Sequence, residues 1–213
     1  MYQHCIKRLL DLLLAAVGSI LLLPVWLVLS LAIVIDDPGP VFFTQKRVGR
    51  HKTCFPILKF RTMKTCTPHD MPTHLLKDPA QYITRVGGFL RKTSLDELPQ
   101  IFNILVGQMA VIGPRPALWN QYDLIAERDR YGANDVRPGL TGWAQINGRD
   151  ELPIDVKARL DGAYVEHLSF GLDCRCFFGT IGAVLRRDGV VEGGTGALAE
   201  DREEETAARS GRN

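Results

Sequence analysis

The hydrophobic pattern divides this chain near residue 36. Of the 27 positions from 9 to 35, only Asp11, Gly18, Ser19, Pro24 and Ser30 are not apolar. A run of that length predicts a helix able to enter a lipid bilayer. Pro24 stands in its middle, where a missing backbone N–H removes a hydrogen bond and favours a kink. The arms on either side would be about 22 Å and about 17 Å long at about 1.5 Å per residue, each shorter than a hydrocarbon core of about 30 Å. Lys7 and Arg8 precede the run, and Lys46, Arg47, Arg50 and Lys52 follow it. Basic residues keep their end of a membrane segment in the cytoplasm, so both ends are drawn to the same side. A bent helix that enters and leaves by one face satisfies both features. A single kinked span with the domain outside is the alternative, and the pattern alone does not choose. The run is too long for a cleaved leader, and no small-x-small site closes it.

Beyond residue 36 the apolar runs shorten. β-rich runs at residues 41–45 and 54–60 flank Val48-Gly49-Arg50-His51 and predict a hairpin. Residues 65–80, with Pro68, Pro72 and Pro79, read as loop. Helices are predicted over residues 99–105, 118–131 and 154–167, with a turn at Arg137-Pro138-Gly139. Residues 172–187 predict a further helix with Leu172, Cys176, Phe177, Ile181, Val184 and Leu185 on one face. Arg175, Arg186 and Arg187 could meet lipid headgroups there, and packing against the domain explains the face equally well. From residue 192 the chain is Gly-rich and charged, the composition of a disordered tail. The division is therefore a membrane helix over 1–36, one domain over 37–191 and a tail over 192–213.

Charge changes the picture once the tail is set apart. The whole chain carries +2, but the tail holds six of the 24 acidic residues and three of the 26 basic ones, so the remainder carries +5. That sign suits phosphates or a lipid surface. It is too mild for nucleic acid, and no nucleic-acid motif is present. The five cysteines form no CxxC pair and no disulfide framework, which reads as reduced cytosolic thiols. Nothing positions His69 and His74, beside Asp70, as metal ligands.

Four segments look chemical. In Lys92-Thr93-Ser94-Leu95-Asp96-Glu97-Leu98-Pro99-Gln100, Ser94 and Glu97 have the spacing of a capping box. Pro99 would then be the fifth helical residue, where its missing N–H is costly. With Asp96 as the cap instead, Pro99 falls inside the first turn, and both carboxylates lie at a positive helix end near Arg91 and Lys92. One carboxylate could then attack a phosphoryl group while its neighbour holds Mg²⁺. In Gly113-Pro114-Arg115-Pro116, Pro114 and Pro116 fix the backbone around Arg115, which suits a diphosphate or a base edge. Lys59 and Arg61, two apart in a strand pattern, add positive charge to one face. The run from Pro138 to Arg149, with Gln145 inside it, is rich in Gly, amide and Arg groups and suits close approach to a ligand, or simply tight turns.

Taken in order, Lys59-Phe60-Arg61-Thr62-Met63, the segment around Asp96, the Pro-Arg-Pro loop and the run ending at Arg149 resemble the bacterial sugar transferases, in particular the small monotopic polyprenyl-phosphate phosphoglycosyl transferases. The likeness runs from Lys7 to about Val190. It implies an α+β, mainly helical fold: a re-entrant membrane helix broken near Pro24, a β-hairpin, and interfacial amphipathic helices around a small cytoplasmic catalytic domain. It also implies the inner membrane as location, a UDP-sugar as donor and undecaprenyl phosphate as acceptor. Asp96 would be the nucleophile, Glu97 would help hold Mg²⁺, and Arg115 would contact the nucleotide. Lys59 and Arg85 would contact phosphates. Gln108 and Asp150 stand where relatives often carry Asp and Asn. An interfacial helix also offers a face on which two copies could pair. A binding module without chemistry and a nucleotide-sugar hydrolase are the competing classes, separable by topology and by dependence on a lipid acceptor.

Overall fold

A computed structural model describes residues 2–67, 79–148 and 152–186. Its first long element, α1, spans Lys7–Asp36 and is about 45 Å long at about 1.5 Å per residue. The helix continues through Pro24 rather than ending there. Pro24 sits on the exposed side, and a proline removes only its own bond from so long a ladder. Asp11, Ala15, Trp26 and Ile33 form the buried stripe, with Leu22 and Leu29 partly buried beside them. Positions 11, 22 and 33 are eleven apart, as are 15 and 26. Eleven residues make close to three turns of an α-helix, so these residues share one face, the one packed on the domain. The opposite face exposes Leu13, Ile20, Leu21, Leu27, Leu31 and Ile35.

Both ends of α1 are fastened to that domain. Near the start, Arg8 donates to the carbonyls of Ile104 (2.9 Å) and Leu105 (3.3 Å), and Asp11 accepts from the Val111 amide at 2.9 Å. At the finish, Asp36 accepts from the Val86 amide at 2.8 Å, while Asp37 takes the Arg61 guanidinium and the Thr65 amide.

The predicted hairpin is present and longer than the pattern indicated. β1, Phe42–Val48, pairs antiparallel with β2, Cys54–Phe60, from Phe42 opposite Phe60 to Val48 opposite Cys54. Lys46 and Arg47 hid the end of β1 because they extend it without adding apolar residues. The turn falls at residues 49–53, with His51 and Lys52 at positive φ.

Three predicted helices appear as α3 (Gln100–Leu105), α4 (Tyr122–Asp129) and α6 (Ile154–Glu166). The fourth, α7, covers Phe170–Arg186. It splits its apolar residues: Cys176 is buried beside Ile112 and Tyr164, while Phe177, Phe178 and Ile181 are exposed. Four elements carried no periodic signal. They are α2 (Arg85–Thr93), the short α5 (Trp143–Ile146), and a parallel pair of β3 (Ala110–Ile112) with β4 (Gly139–Thr141). The main core joins α1 to Phe55, Ile57 and Phe60 of β2, Leu90 of α2, and Ile101 and Ile104 of α3. Most of the residues expected to be loop between 65 and 80, and the tail over 192–213, lie outside the described residues.

Candidate active site

The two carboxylates sit at the junction of α2 and α3. Thr84 caps the start of α2 through its hydroxyl, which accepts from the Gly87 amide at 2.8 Å. α2 ends at Ser94, in the left-handed region at φ 56°. A single 3₁₀ turn, Leu95–Glu97, follows, and Pro99 is the cap residue before α3. Neither capping arrangement expected from the sequence occurs: no side chain caps this turn, and Ser94 reverses the chain instead. Pro99 precedes the helix, where its missing N–H costs nothing.

Asp96 and Glu97 are neighbours with opposite surroundings. Glu97 is buried and accepts from Lys59 Nζ at 2.8 Å and from both terminal nitrogens of Arg115, at 2.6 and 3.2 Å. Burial alone would raise its pKa, but Arg115 and Lys59 outweigh that and hold it well below the usual carboxylate range. Asp96 has a side chain only 13% exposed, and its nearest cation among the described residues is Lys59 Nζ at 3.9 Å. Burial raises its pKa, and the charge on Glu97 adds to the rise while Lys59 opposes it. One carboxylate is therefore pinned and ionised, and the other is uncommitted and more basic.

Lys59 reaches the site from the inner face of β2, which it shares with Phe55 and Ile57. Arg115 arrives on the loop after β3, between the buried Pro114 and Pro116. Arg61 does not join them. The strand alternation fails where Phe60 takes a buried position, and the Arg61 guanidinium is spent on Asp37. Arg85 opens α2, exposed and nine residues before Ser94, at the end of that helix away from the carboxylates. Gln145 is buried in α5, and neither atom of its amide has a hydrogen-bond partner among the described residues. It borders the loop root: a Cβ at Gly142 would lie 2.1 Å from the Gly113 carbonyl and 3.0 Å from Gln145 Oε1. Arg149 and Asp150 lie outside the described residues. Gln108 accepts from the Asn103 side-chain amide at 2.7 Å.

Sequence reasoning missed Asn103 and the role of Asp11. Asn103 ties α3 to β2 by accepting from the Leu58 amide and donating to the Pro56 carbonyl, both at 2.9 Å. Asp11 starts β3 through the Val111 amide. An acid inside an apolar run was the visible signal for Asp11; Asn103 had none. Among the described residues no group of three or more His, Cys, Asp or Glu side chains could hold a metal by itself.

A family model described as bacterial sugar transferase matches residues 2–187. The chain is similar to the uncharacterized sugar transferase EpsL of Bacillus subtilis, 39% identical over 186 residues, covering 87% of this chain and 90% of that protein. It is similar to the UDP-glucose:undecaprenyl-phosphate glucose-1-phosphate transferase of Escherichia coli, 38% identical over 187 residues, covering 84% of this chain and 40% of that protein. The exopolysaccharide production protein PSS of Rhizobium leguminosarum is 36% identical over 196 residues, with 85% and 96% covered. The chain thus spans nearly the whole of some curated relatives and less than half of others.

Proposed function

This chain belongs to the bacterial sugar transferase family, and from that premise we propose that it moves a sugar 1-phosphate from a UDP-sugar to undecaprenyl phosphate, with Asp96 as nucleophile. The observation that carries the reading is the contrast between the pinned Glu97 and the uncommitted, more basic Asp96. A nucleophilic carboxylate needs free lone pairs; a carboxylate that orients cations needs the opposite.

In the first step an oxygen of Asp96 attacks the β-phosphorus of the donor. The bond from that phosphorus to the bridging oxygen breaks, and UMP leaves with the electron pair. In the second step an oxygen of undecaprenyl phosphate attacks the same phosphorus, and the Asp96 oxygen departs as carboxylate. Arg115 and Lys59, oriented by Glu97, stand ready to offset charge on the phosphoryl oxygens. The Arg115 side chain remains 31% exposed, enough to reach a ligand while anchored. Gln145, with both amide atoms unspent, is a natural contact for the donor.

The donor set suits Mg²⁺. Three nitrogens occupy Glu97, which leaves lone-pair capacity on Oε2, and the oxygens of Asp96 are open. Mg²⁺ binds readily through one or two carboxylates completed by phosphate and water oxygens. When bound it would polarise the diphosphate and stabilise the leaving phosphate.

The membrane assignment rests on α1. A helix whose first and last turns both bond to one domain, with a continuous stripe packed on it, does not hold that domain off the end of a straight span. Its exposed Leu, Ile and Val surface enters one leaflet while both ends return to the cytoplasmic face, the re-entrant disposition. Phe89, Phe102 and Val106 extend the exposed apolar surface around the α2–α3 junction. The catalytic turn then lies at headgroup depth, where the acceptor phosphate resides.

The test is UMP release from a panel of UDP-sugars with Mg²⁺, with and without undecaprenyl phosphate. Lipid-dependent UMP from one donor is expected. UMP release to water at the same rate without lipid would make the protein a hydrolase, and no release from folded protein would sink the transferase reading.

A further inference from the structure

The loop that presents Arg115 has two prolines and therefore few N–H groups by which to be held. Its carbonyls are the remaining handles, and four in succession are taken. Pro114 accepts from the Gly139 amide at 2.9 Å, Arg115 from Arg128 Nη1 at 2.9 Å, Pro116 from Arg47 Nη1 at 3.1 Å, and Ala117 from the Val48 amide at 2.9 Å. The donor to Arg115 itself is unlike the rest. Arg128, on α4, is only 3% exposed, and its other two nitrogens are fixed by Asp161 of α6, itself 1% exposed. Nε and Nη2 donate to Asp161 Oδ2 at 2.8 and 2.5 Å. All three guanidinium nitrogens are thus spent, two on a carboxylate and one on the backbone of the residue that grips Glu97.

We propose that Arg128, held by Asp161, is a positioning residue for the transfer reaction: by fixing the Arg115 carbonyl it sets the angle at which the Arg115 guanidinium meets Glu97 and the donor. This rests on the transferase reading above. A buried ion pair is a poor general stabiliser, since its desolvation cost rivals its attraction and apolar side chains of similar volume often serve as well. An apolar pair cannot donate to a carbonyl in a proline-rich loop. Lysine could not serve either, because its single ammonium lacks the planar fork that engages a carboxylate on one edge and a carbonyl on the other. Neither Arg128 nor Asp161 makes a direct contact with Asp96 or Glu97, so the effect passes through Arg115.

The decisive comparison uses the full chain in detergent or lipid and combines thermal melting with lipid-dependent UMP release. The double variant Arg128→Met, Asp161→Leu removes both members of the pair at once, so neither is left behind as the other's unpaired partner, and the buried Lys157 that also faces Asp161 is unchanged. It is expected to melt near the wild type while its kcat/KM for the donor falls between about tenfold and about a hundredfold, the scale of a misplaced catalytic group. Added to Arg115→Ala, the same two changes should lower activity no further, because they act through that side chain. Losses that multiply, or a folded double variant with wild-type activity, overturn the proposal. If the double variant does not fold, Arg128→Lys, alone and with Arg115→Ala, answers the same question by the same non-additivity. A wild type that releases no UMP from any donor would sink the transferase reading and this proposal together, whereas additive losses in an active enzyme sink this one alone.

Discussion

At the scale of single residues, adjacent positions in one turn carry opposite electrostatics, and that difference generates sharp expectations. Asp96→Asn removes the proposed nucleophile and should lower UMP release by more than about 10³-fold. It should not lower the melting temperature at neutral pH. The folded pKa of Asp96 is raised above its unfolded value, so its ionised form disfavours the folded state at any pH above that raised pKa. The variant should therefore melt at or above the wild type near neutrality, and the gap should close as pH falls through the raised value. In the wild type, kcat/KM for the donor should fall over the same window as Asp96 takes up a proton. A mutant with substantial activity would end the assignment. Glu97→Gln is expected to behave differently, losing both activity and about 1–3 kcal/mol of stability, because Lys59 and Arg115 lose their common anion. Denaturant unfolding of the two variants side by side separates them.

At the scale of elements, the loop carrying Arg115 works because glycines let backbones touch. A Cβ at Gly139 would sit 2.1 Å from the Gly113 amide nitrogen and 2.4 Å from the Thr141 carbonyl oxygen. Gly139→Ala should thus cost at least about 2 kcal/mol and reduce activity, since overpacking here must move the loop. Gly171→Ala is the matched control: nothing lies within 4 Å of the added Cβ, and the position is in the exposed first turn of α7. There the same substitution should stabilise by about 0.5–1 kcal/mol. Equal effects at both sites would show that close approach at Gly139 does not govern the loop.

At the scale of the whole molecule, the fastening of α1 at both ends makes a topological prediction that native cysteines can test. Cys5 precedes α1, while Cys54 and Cys66 follow it, and all three are exposed. If both ends of α1 return to the cytoplasmic face, as proposed, none should react with a membrane-impermeant maleimide in intact cells, and all should react after lysis. Labelling of Cys5 alone, or of Cys54 and Cys66 alone, from outside would establish a single span instead. α2 and the parallel β3–β4 pair show why less of the domain than of α1 was legible. Three-residue strands are too short to display a period of two, and α2 holds three basic residues and two glycines among nine.

The sequence by itself determined the local features whose causes lie within a few residues: the apolar run of α1, the hairpin and most of the later helices; it also singled out the Asp96–Glu97 and Pro-Arg-Pro segments as candidates for chemistry. Composition and periodicity act at that range, and so do the proline constraints around Arg115. Tertiary structure decided which cations reach the carboxylates. Lys59, 38 residues before Glu97, and Arg115, 18 after it, converge on one oxygen, while Arg61 is captured by Asp37 and Arg85 is left at the far end of its helix. It also decided that Asp96, rather than its neighbour, keeps its oxygens free. Such choices depend on which side chains meet after long stretches of chain have closed on themselves, and no local pattern encodes that meeting.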